Sequence, residues 1–340
     1  MQKQVKKLLQ HNETYIFLIL LALSILIQAR SGQFYTPNNI VDILSAMIVP
    51  GLFAVGVFLV ILTGGIDVSF PALASLTAYA TTKYLLDSGY EGGILVPLLM
   101  ALVIGAILGA VNGFFIGYMN LPAMIVTLGT SSIFKGIMQG TLESKQLAVI
   151  PPGMKEFGTS ALFTATNAQN GLNSRMPVAF LVLVFIYLLA FFVLRYTMLG
   201  RGIYAIGGNE SAAYNAGYKV KLTKFILYVF AGMTASIAGI IRVCMMQQCH
   251  PTNMLGMEMN IIAGVVLGGT SITGGKGTLT GCFLGTLLIV LVENSMILIG
   301  VPVIWKDVFV GLLIVIGTAV SAYQSTRAGM KRSRKREEAA

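Results

Sequence analysis

Charged residues are scarce in this sequence. Asp, Glu, Lys and Arg account for 11% of its 340 residues, whereas soluble domains carry about 25%. Hydrophobic residues account for 56%, and the mean hydropathy is +0.80. A soluble core cannot bury that much apolar surface, but a bilayer can accept it. The composition therefore predicts a polytopic integral membrane protein with an all-α fold.

Residues for metal binding and for histidine-based catalysis are also few. The three cysteines, Cys244, Cys249 and Cys282, show no metal-type spacing, and their odd number argues against a disulfide framework. The two histidines, His11 and His250, lie far apart in the sequence, so histidine-based chemistry is poorly supplied. We therefore predict no metal site, no cofactor on this chain and no membrane-enzyme activity.

Apolar runs, in contrast, are long and numerous. A membrane helix needs about 20 mostly apolar residues, and about ten segments approach that length, including broken or re-entrant ones. An even number of spans places both termini on the same side of the membrane. The candidate spans are 15–29, 40–62, 70–86, 94–118, 121–140, 177–195, 225–245, 258–272, 279–299 and 304–323.

The basic residues orient these spans. Most of the 23 Lys and Arg fall in segments that are cytoplasmic if both termini are, as the positive-inside rule requires. We therefore predict cytoplasmic tails at 1–14 and 324–340 and a single transmembrane domain at 15–323. Within that domain, the connection 141–176 is external and the basic loop 196–224 is cytoplasmic. The basic tails flank apolar runs, so we predict no nucleic-acid partner.

Glycine recurs at every fourth residue in two segments. Residues four apart lie on one helical face, and a strip without side chains lets a neighbouring helix approach closely. Tight packing is the expected role, and a sliding surface for conformational change is the alternative. The two strips are Gly105, Gly109, Gly113 and Gly117, and Gly277, Gly281 and Gly285.

A first helix break is predicted at Thr63-Gly64-Gly65-Ile66-Asp67-Val68-Ser69, because paired glycines are followed closely by Pro71. Broken helices persist in membranes only where protein or a watery cavity receives the freed backbone groups. Asp67 is an ionisable group at this break, which makes it a functional candidate. A helix cap in a cytoplasmic turn is the alternative, and the sequence leaves both open.

A second break is predicted at Leu267-Gly268-Gly269-Thr270-Ser271, which continues to Gly274-Gly275-Lys276-Gly277. A phosphate-binding loop ending at Lys276 would need Gly at 270 and Ser or Thr at 277, and the chain has neither. We therefore predict that any ATP used in transport is bound by another chain.

Polar side chains interrupt several of the apolar segments. They are costly in hydrocarbon unless they face partners or a water-filled route. Each could form a helix–helix hydrogen bond, but together they are compatible with a lining for a hydroxyl-rich solute. The predicted translocation residues are Asp67, Ser69, Asn112, Thr127, Asn260 and Asn294.

The cytoplasmic loop combines small residues with flanking glycines and cations. We predict a short helix from about Asn209 to Gly217, which suits docking on a cytoplasmic partner. An ordinary amphipathic connector is the alternative interpretation.

The order and spacing of these motifs resemble the permeases of ribose- and galactose-type bacterial ABC importers, in the branch with simple-sugar, rhamnose and autoinducer-2 permeases. The resemblance covers about 60–280. One departure is Phe70-Pro71-Ala72, where many relatives have a small Val-Gly-Ser-like continuation. The motifs are Gly64-Gly65-Ile66-Asp67-Val68-Ser69, Leu121-Pro122-Ala123 with Val126-Thr127-Leu128-Gly129-Thr130, Gly200-Arg201 through Ala212-Ala213 and Gly217, and the second break.

The resemblance implies a permease in the bacterial inner membrane that carries a monosaccharide or similar solute. It also implies a second permease, identical or related, two cytoplasmic ATPases that hold ATP and Mg, and a periplasmic or lipid-anchored binding protein. Membrane lipid surrounds the core. The ATPase-coupling residues would be Arg201, Gly207, Gly208, Asn209, Glu210, Ala212, Ala213 and Gly217.

Two other functions remain open at this point. A secondary transporter driven by an ion gradient could use Asp67 and Glu293 for coupling. An importer of the same ABC mechanism could instead carry autoinducer-2 or a nucleoside-like solute.

Overall fold

The chain is mostly helical in its computed structural model, which describes residues 12–142, 145–168, 171–296, 298–312 and 315. The first half contains α1 (Asn12–Ser31), α2 (Pro37–Ala46), α3 (Ile48–Leu62), α4 (Phe70–Asp87), α5 (Leu95–Gly113, continued by a π-helical turn Phe114–Tyr118), α6 (Ala123–Gly140) and α7 (Pro152–Thr159). The second half contains β1 (Ala161–Thr166), β2 (Asn173–Pro177), α8 (Ala179–Tyr196), α9 (Met198–Gly208), α10 (Glu210–Asn215), α11 (Val220–Met246), α12 (Glu258–Leu267), α13 (Leu279–Ser295) and a 3-10 turn (Val303–Trp305).

Helix α3 forms the centre of the bundle. Every one of its residues except Pro50 is buried, and it packs against α8, α11, α12 and α13. A helix that is apolar on all sides can only be stable when other helices or lipid surround it. The two predicted breaks flank this centre, because the first follows α3 directly and the second joins α12 to α13.

Helices α5 and α11 pack together along the first glycine strip. A Cβ on Gly113 would lie 2.9 Å from the Phe225 carbonyl oxygen, and a Cβ on Gly117 would lie 2.8 Å from that of Lys221. The predicted close packing is therefore confirmed for this strip. The second strip begins later than predicted, because Gly277 precedes α13 and has a φ of +153°.

Fewer helices qualify as spans than the sequence predicts. Within the described residues, 4 helices are long and apolar enough to cross a bilayer, and the pair α2–α3, bent by 42°, makes a fifth. The predicted span 258–272 was too long, because α12 ends at Leu267, where the glycines of the second break begin. Helix α13 is also short, with 17 residues. The count of about ten therefore stays a prediction.

The predicted external connection is more ordered than a loop. It contains α7 and an antiparallel hairpin of β1 and β2, which packs against α2. The all-α prediction is wrong for this hairpin, whose Thr-rich first strand and polar turn favour extended structure. Leu147 and Cys249 exchange backbone hydrogen bonds of 2.9 Å and so tie the connection to the segment after α11.

The chain ends are only partly described. The helical first span begins at Asn12, so part of the predicted tail 1–14 belongs to α1. The predicted basic tail 324–340 lies outside the described residues, as does half of the last predicted span, 304–323.

Candidate functional site

The first break is held by a buried network of side-chain hydrogen bonds. The Asp67 carboxylate accepts 2.7 Å bonds from both the backbone N–H and the hydroxyl of Ser69. The Asn112 amide on α5 then donates a 2.8 Å bond to the Ser69 oxygen. Asp67 thus forms an Asx-type turn immediately before α4, whose N-cap Ser69 makes no side-chain capping bond, and a role for Asp67 in the solute route stays a prediction.

Thr127 on α6 fixes the other side of the same break. Its oxygen accepts a 3.3 Å bond from the Val68 N–H, and its hydroxyl donates to the Ile66 carbonyl at 3.2 Å. The break therefore finds protein partners for its backbone groups, as a broken helix in a membrane requires. We call Asp67, Ser69, Asn112 and Thr127 the break cluster.

The structure brings four of the six predicted translocation residues together in the break cluster. Each of the four is at most 3% exposed, so in this conformation they face one another and not an open route. Tyr228 on α11 is a neighbour that the sequence did not single out. Its hydroxyl lies where a Cβ on Gly65 would be 2.7 Å away.

The other two predicted translocation residues have separate partners. The Asn260 amide donates to Glu293 at 3.0 Å, and Glu293 also pairs with Lys306 at 3.1 Å. The Asn294 amide donates to the Val290 carbonyl one turn earlier on α13. Sequence reasoning missed the Glu293–Lys306 pair, because the two residues belong to different predicted spans.

The loop 196–224, which the sequence predicts to be cytoplasmic, contains two helices. Thr197 caps α9 by accepting a bond from the Gly200 N–H, and Asn209 caps α10 by accepting one from the Ala212 N–H at 2.9 Å. The predicted short helix is therefore confirmed, with Asn209 as its N-cap. Glu210 and Lys224 form a 2.7 Å ion pair that joins α10 to α11.

The predicted coupling residues divide into an exposed and an inward group. Ala213 is buried against Ile206 and Val220, and Gly207 faces the two breaks. Gly217 has a φ of +87° with no atom within 4 Å of a Cβ built on it. The exposed members are Arg201, Gly208, Asn209, Glu210, Ala212 and Gly217.

An open groove runs beside α10 between the end of α5 and the start of α11. Three tyrosines line it together with two lysines, so the surface is both aromatic and basic. Its lining includes Tyr118, Tyr214, Tyr218, Lys219 and Lys221.

A family profile described as the permease component of branched-chain amino acid transport systems matches residues 39–317. The chain belongs to this permease family. The permease is 35% identical over 301 residues to the ribose import permease protein RbsC of Escherichia coli (strain K12), which covers 88% of this chain and 91% of that protein. No solved structure matches it.

Two further relatives are named for other cargoes. The permease is 31% identical over 304 residues to the D-allose transport system permease protein AlsC of Escherichia coli (strain K12), covering 89% of each chain. It is 31% identical over 310 residues to the autoinducer 2 import system permease protein LsrC of Enterobacter sp. (strain 638), covering 91% of this chain and 86% of that one. The predicted role as the permease component of an ABC sugar importer is confirmed. Such a component works in the inner membrane with ATPase and solute-binding partners.

Proposed function

We propose that the permease imports a monosaccharide or a similar small polyhydroxylated solute, driven by ATP that partner subunits hydrolyse. The main support for this proposal is the 35% identity to a ribose import permease over 88% of the chain. The allose relative supports the same class of cargo, since both names refer to small sugars. A relative named for autoinducer 2 supports a second candidate cargo of comparable size.

The cytoplasmic loop is the proposed docking site for the ATPase. Helix α10 presents Ala212 and Tyr214 on its exposed side, while Ala213 anchors the opposite side on Ile206 and Val220. A short helix that is anchored on one face and exposed on the other suits insertion into a partner. This arrangement requires that 196–224 be cytoplasmic. About ten spans, with both termini inside, would place the loop on that side.

The solute route is proposed to lie between two permease chains. The break cluster is closed, whereas one face of α6 is exposed and carries small residues between large apolar ones such as Ile125 and Ile133. Gly129, Gly136 and Gly140 have no atom within 4 Å of a built Cβ, and Ser132 is exposed between them. In a pair of permeases, such a face lets polar backbone and hydroxyl groups line a central passage. Two ATPases and one binding protein would complete the importer, with 15–323 as the transmembrane domain.

Reconstituted transport tests this function. The permease, its ATPase and its binding protein are placed in proteoliposomes, and uptake of radiolabelled ribose, allose and autoinducer-2 is measured. We expect uptake of a sugar that requires ATP inside and is unchanged when proton or sodium gradients are collapsed. Uptake that needs an ion gradient and no ATP would contradict the proposal in favour of a secondary transporter.

Docking of the ATPase on α10 is tested with two tryptophan variants. We expect Ala212→Trp to leave the protein folded but to weaken copurification of the ATPase, because this side chain faces solvent. Ala161→Trp, at an exposed position of β1, is the matched control and should retain the ATPase.

A further inference from the structure

The cytoplasmic loop meets both helix breaks at one point, and this contact is made of backbone alone. The end of α9 lies between the end of α3 and the turn of the second break. A Cβ added to Gly207 would overlap the Leu62 carbonyl oxygen and the Gly275 N–H. We call Leu62, Gly64, Gly207, Gly274 and Gly275 the glycine junction.

At the glycines of the second break, the backbone of the other segments leaves no space for a side chain. A Cβ on Gly275 would lie 2.7 Å from the Gly208 nitrogen, and one on Gly274 would lie 2.7 Å from the Gly64 nitrogen. Gly274 and Gly275 also have φ values of +87° and +71°, a region that favours glycine. Three segments far apart in the sequence therefore touch without any side chain between them.

Two hydrogen bonds fix the glycine junction. The Gly275 N–H donates to the Leu62 carbonyl at 2.9 Å, which joins the second break to the end of α3. The Tyr204 hydroxyl on α9 donates to the Gly277 carbonyl at 3.0 Å. Burial raises the pKa of Tyr204, so its hydroxyl stays protonated and remains a donor at neutral pH.

The exposed α10 is connected to this contact by a short and rigid path. Only Asn209 separates α9 from α10, and its side chain caps α10. Ala213 packs on Ile206 of α9, so the two helices move as a pair. Packed backbones have no rotamers that could absorb a displacement, and such contacts shift between discrete arrangements.

We propose that the glycine junction is the positioning element through which the cytoplasmic loop moves both helix breaks together. A displacement of α10 reaches Gly207 and is passed at once to the first break through Leu62 and Gly64, and to the second through Gly274 and Gly275. Tyr204 keeps α9 in register with the second break. This inference rests on the proposed ATP-driven function, since it describes how ATPase movement reaches the membrane helices.

The test measures solute imported per ATP hydrolysed in the reconstituted importer. Tyr204→Phe removes the hydrogen bond to Gly277 and adds no atoms. Gly207→Ala inserts a methyl group into the glycine junction. Gly93→Ala, in the connection between α4 and α5, is the matched control, because this exposed position has no atom within 4 Å of an added Cβ.

We expect Tyr204→Phe to keep the ATPase bound and its basal hydrolysis unchanged, because Tyr204 is not one of the proposed docking residues. Imported solute per ATP should fall about fivefold or more, the factor that corresponds to one lost hydrogen bond. Gly93→Ala should stay within about twofold of the wild type, as a surface substitution does. If Gly207→Ala fails to assemble, the ratio measured for Tyr204→Phe decides.

Two results would overturn the inference. One is a wild-type ratio in Tyr204→Phe, and the other is an equal loss in Gly93→Ala and Gly207→Ala. A wild-type importer that needs no ATP would instead contradict the proposed function, so the two failures are distinguishable.

Discussion

The two helix breaks have similar compositions but are held in different ways. At the first break, the side chains of Asp67, Ser69 and Asn112 form a buried hydrogen-bonded chain. At the second break, Ser271 bonds only Thr273 among side chains, in an exposed position. Glycine backbone contacts dominate there instead, as where Gly268 meets Gly281.

This difference shows that environment decides what a residue type contributes. A buried polar atom that loses its partner incurs the full cost of desolvation, whereas an exposed one is solvated by water. A glycine against backbone has no space for a methyl group, whereas a glycine facing lipid does. The first break should therefore be sensitive to lost polar groups and the second to added carbon atoms.

The largest effect is expected from overpacking beside the second break. A Cβ on Gly285 of α13 would overlap the Gly264 carbonyl oxygen and lie 2.6 Å from the Gly268 nitrogen. Gly285→Ala should therefore lower the free energy of unfolding by about 1–3 kcal/mol, since α12 and α13 must separate. The measurement is the thermal midpoint of the purified permease in detergent.

The control for this steric prediction is Gly136→Ala on α6. No atom lies within 4 Å of a Cβ at that position, and alanine favours helix by about 1 kcal/mol over glycine. Its thermal midpoint should equal or exceed that of the wild type. Equal destabilisation by the two substitutions would mean that the contact between α12 and α13 is not what holds the second break.

The next effect is expected from the carboxylate of the first break. Asp67→Ala leaves the Ser69 N–H and hydroxyl without their acceptor, at a cost of about 1–3 kcal/mol. We expect reduced uptake while the importer still assembles, because the break that begins α4 loses its fixed geometry. Asp67→Asn keeps one oxygen acceptor, so its uptake and its thermal midpoint should fall less than those of Asp67→Ala. Uptake in reconstituted vesicles and the thermal midpoint are measured together, and normal values in Asp67→Ala would show that the carboxylate is dispensable.

The sequence predicts local features of these breaks well. Paired glycines before Pro71 mark the end of α3, and the four-residue spacing of Gly105 and Gly109 marks a packing face. Both signals lie within one helix or one turn, where spacing translates directly into geometry. The Asn209 cap of α10 was predictable for the same reason.

The remaining contacts depend on which helices are neighbours. Leu62, Gly207 and Gly275 meet in the fold although long stretches of chain separate them. Thr127 bonds Val68 across a separation of 59 residues. No periodicity within one segment encodes such pairs, because they are set by the packing of the whole bundle. The hairpin in the connection 141–176 was not predicted for a related reason, since its strands are stabilised by pairing and by packing on α2.

The smallest difference in stability between the two breaks is expected when one serine in each, Ser69 or Ser271, is replaced by alanine. Ser69 donates to Asp67 at 2.7 Å and accepts from Asn112 at 2.8 Å, and it is fully buried. Ser69→Ala should therefore lower the free energy of unfolding by about 1 kcal/mol. Ser271→Ala removes a hydroxyl that shares one exposed bond with Thr273, so its effect should stay within about 0.5 kcal/mol.

A double-mutant cycle distinguishes a network from a simple loss of packing at Ser69. Asn112→Ala removes the donor to Ser69. The double variant should therefore lose less free energy of unfolding than the sum of the losses in the two single variants. Residues of one hydrogen-bond network couple by about 0.5–3 kcal/mol in such cycles. The same cycle with Ser271→Ala and Asn112→Ala should be additive, because these residues belong to different breaks. Additivity in the first cycle would show that Ser69 and Asn112 act independently, and the contrast between a polar first break and a steric second break would then rest on the glycines alone.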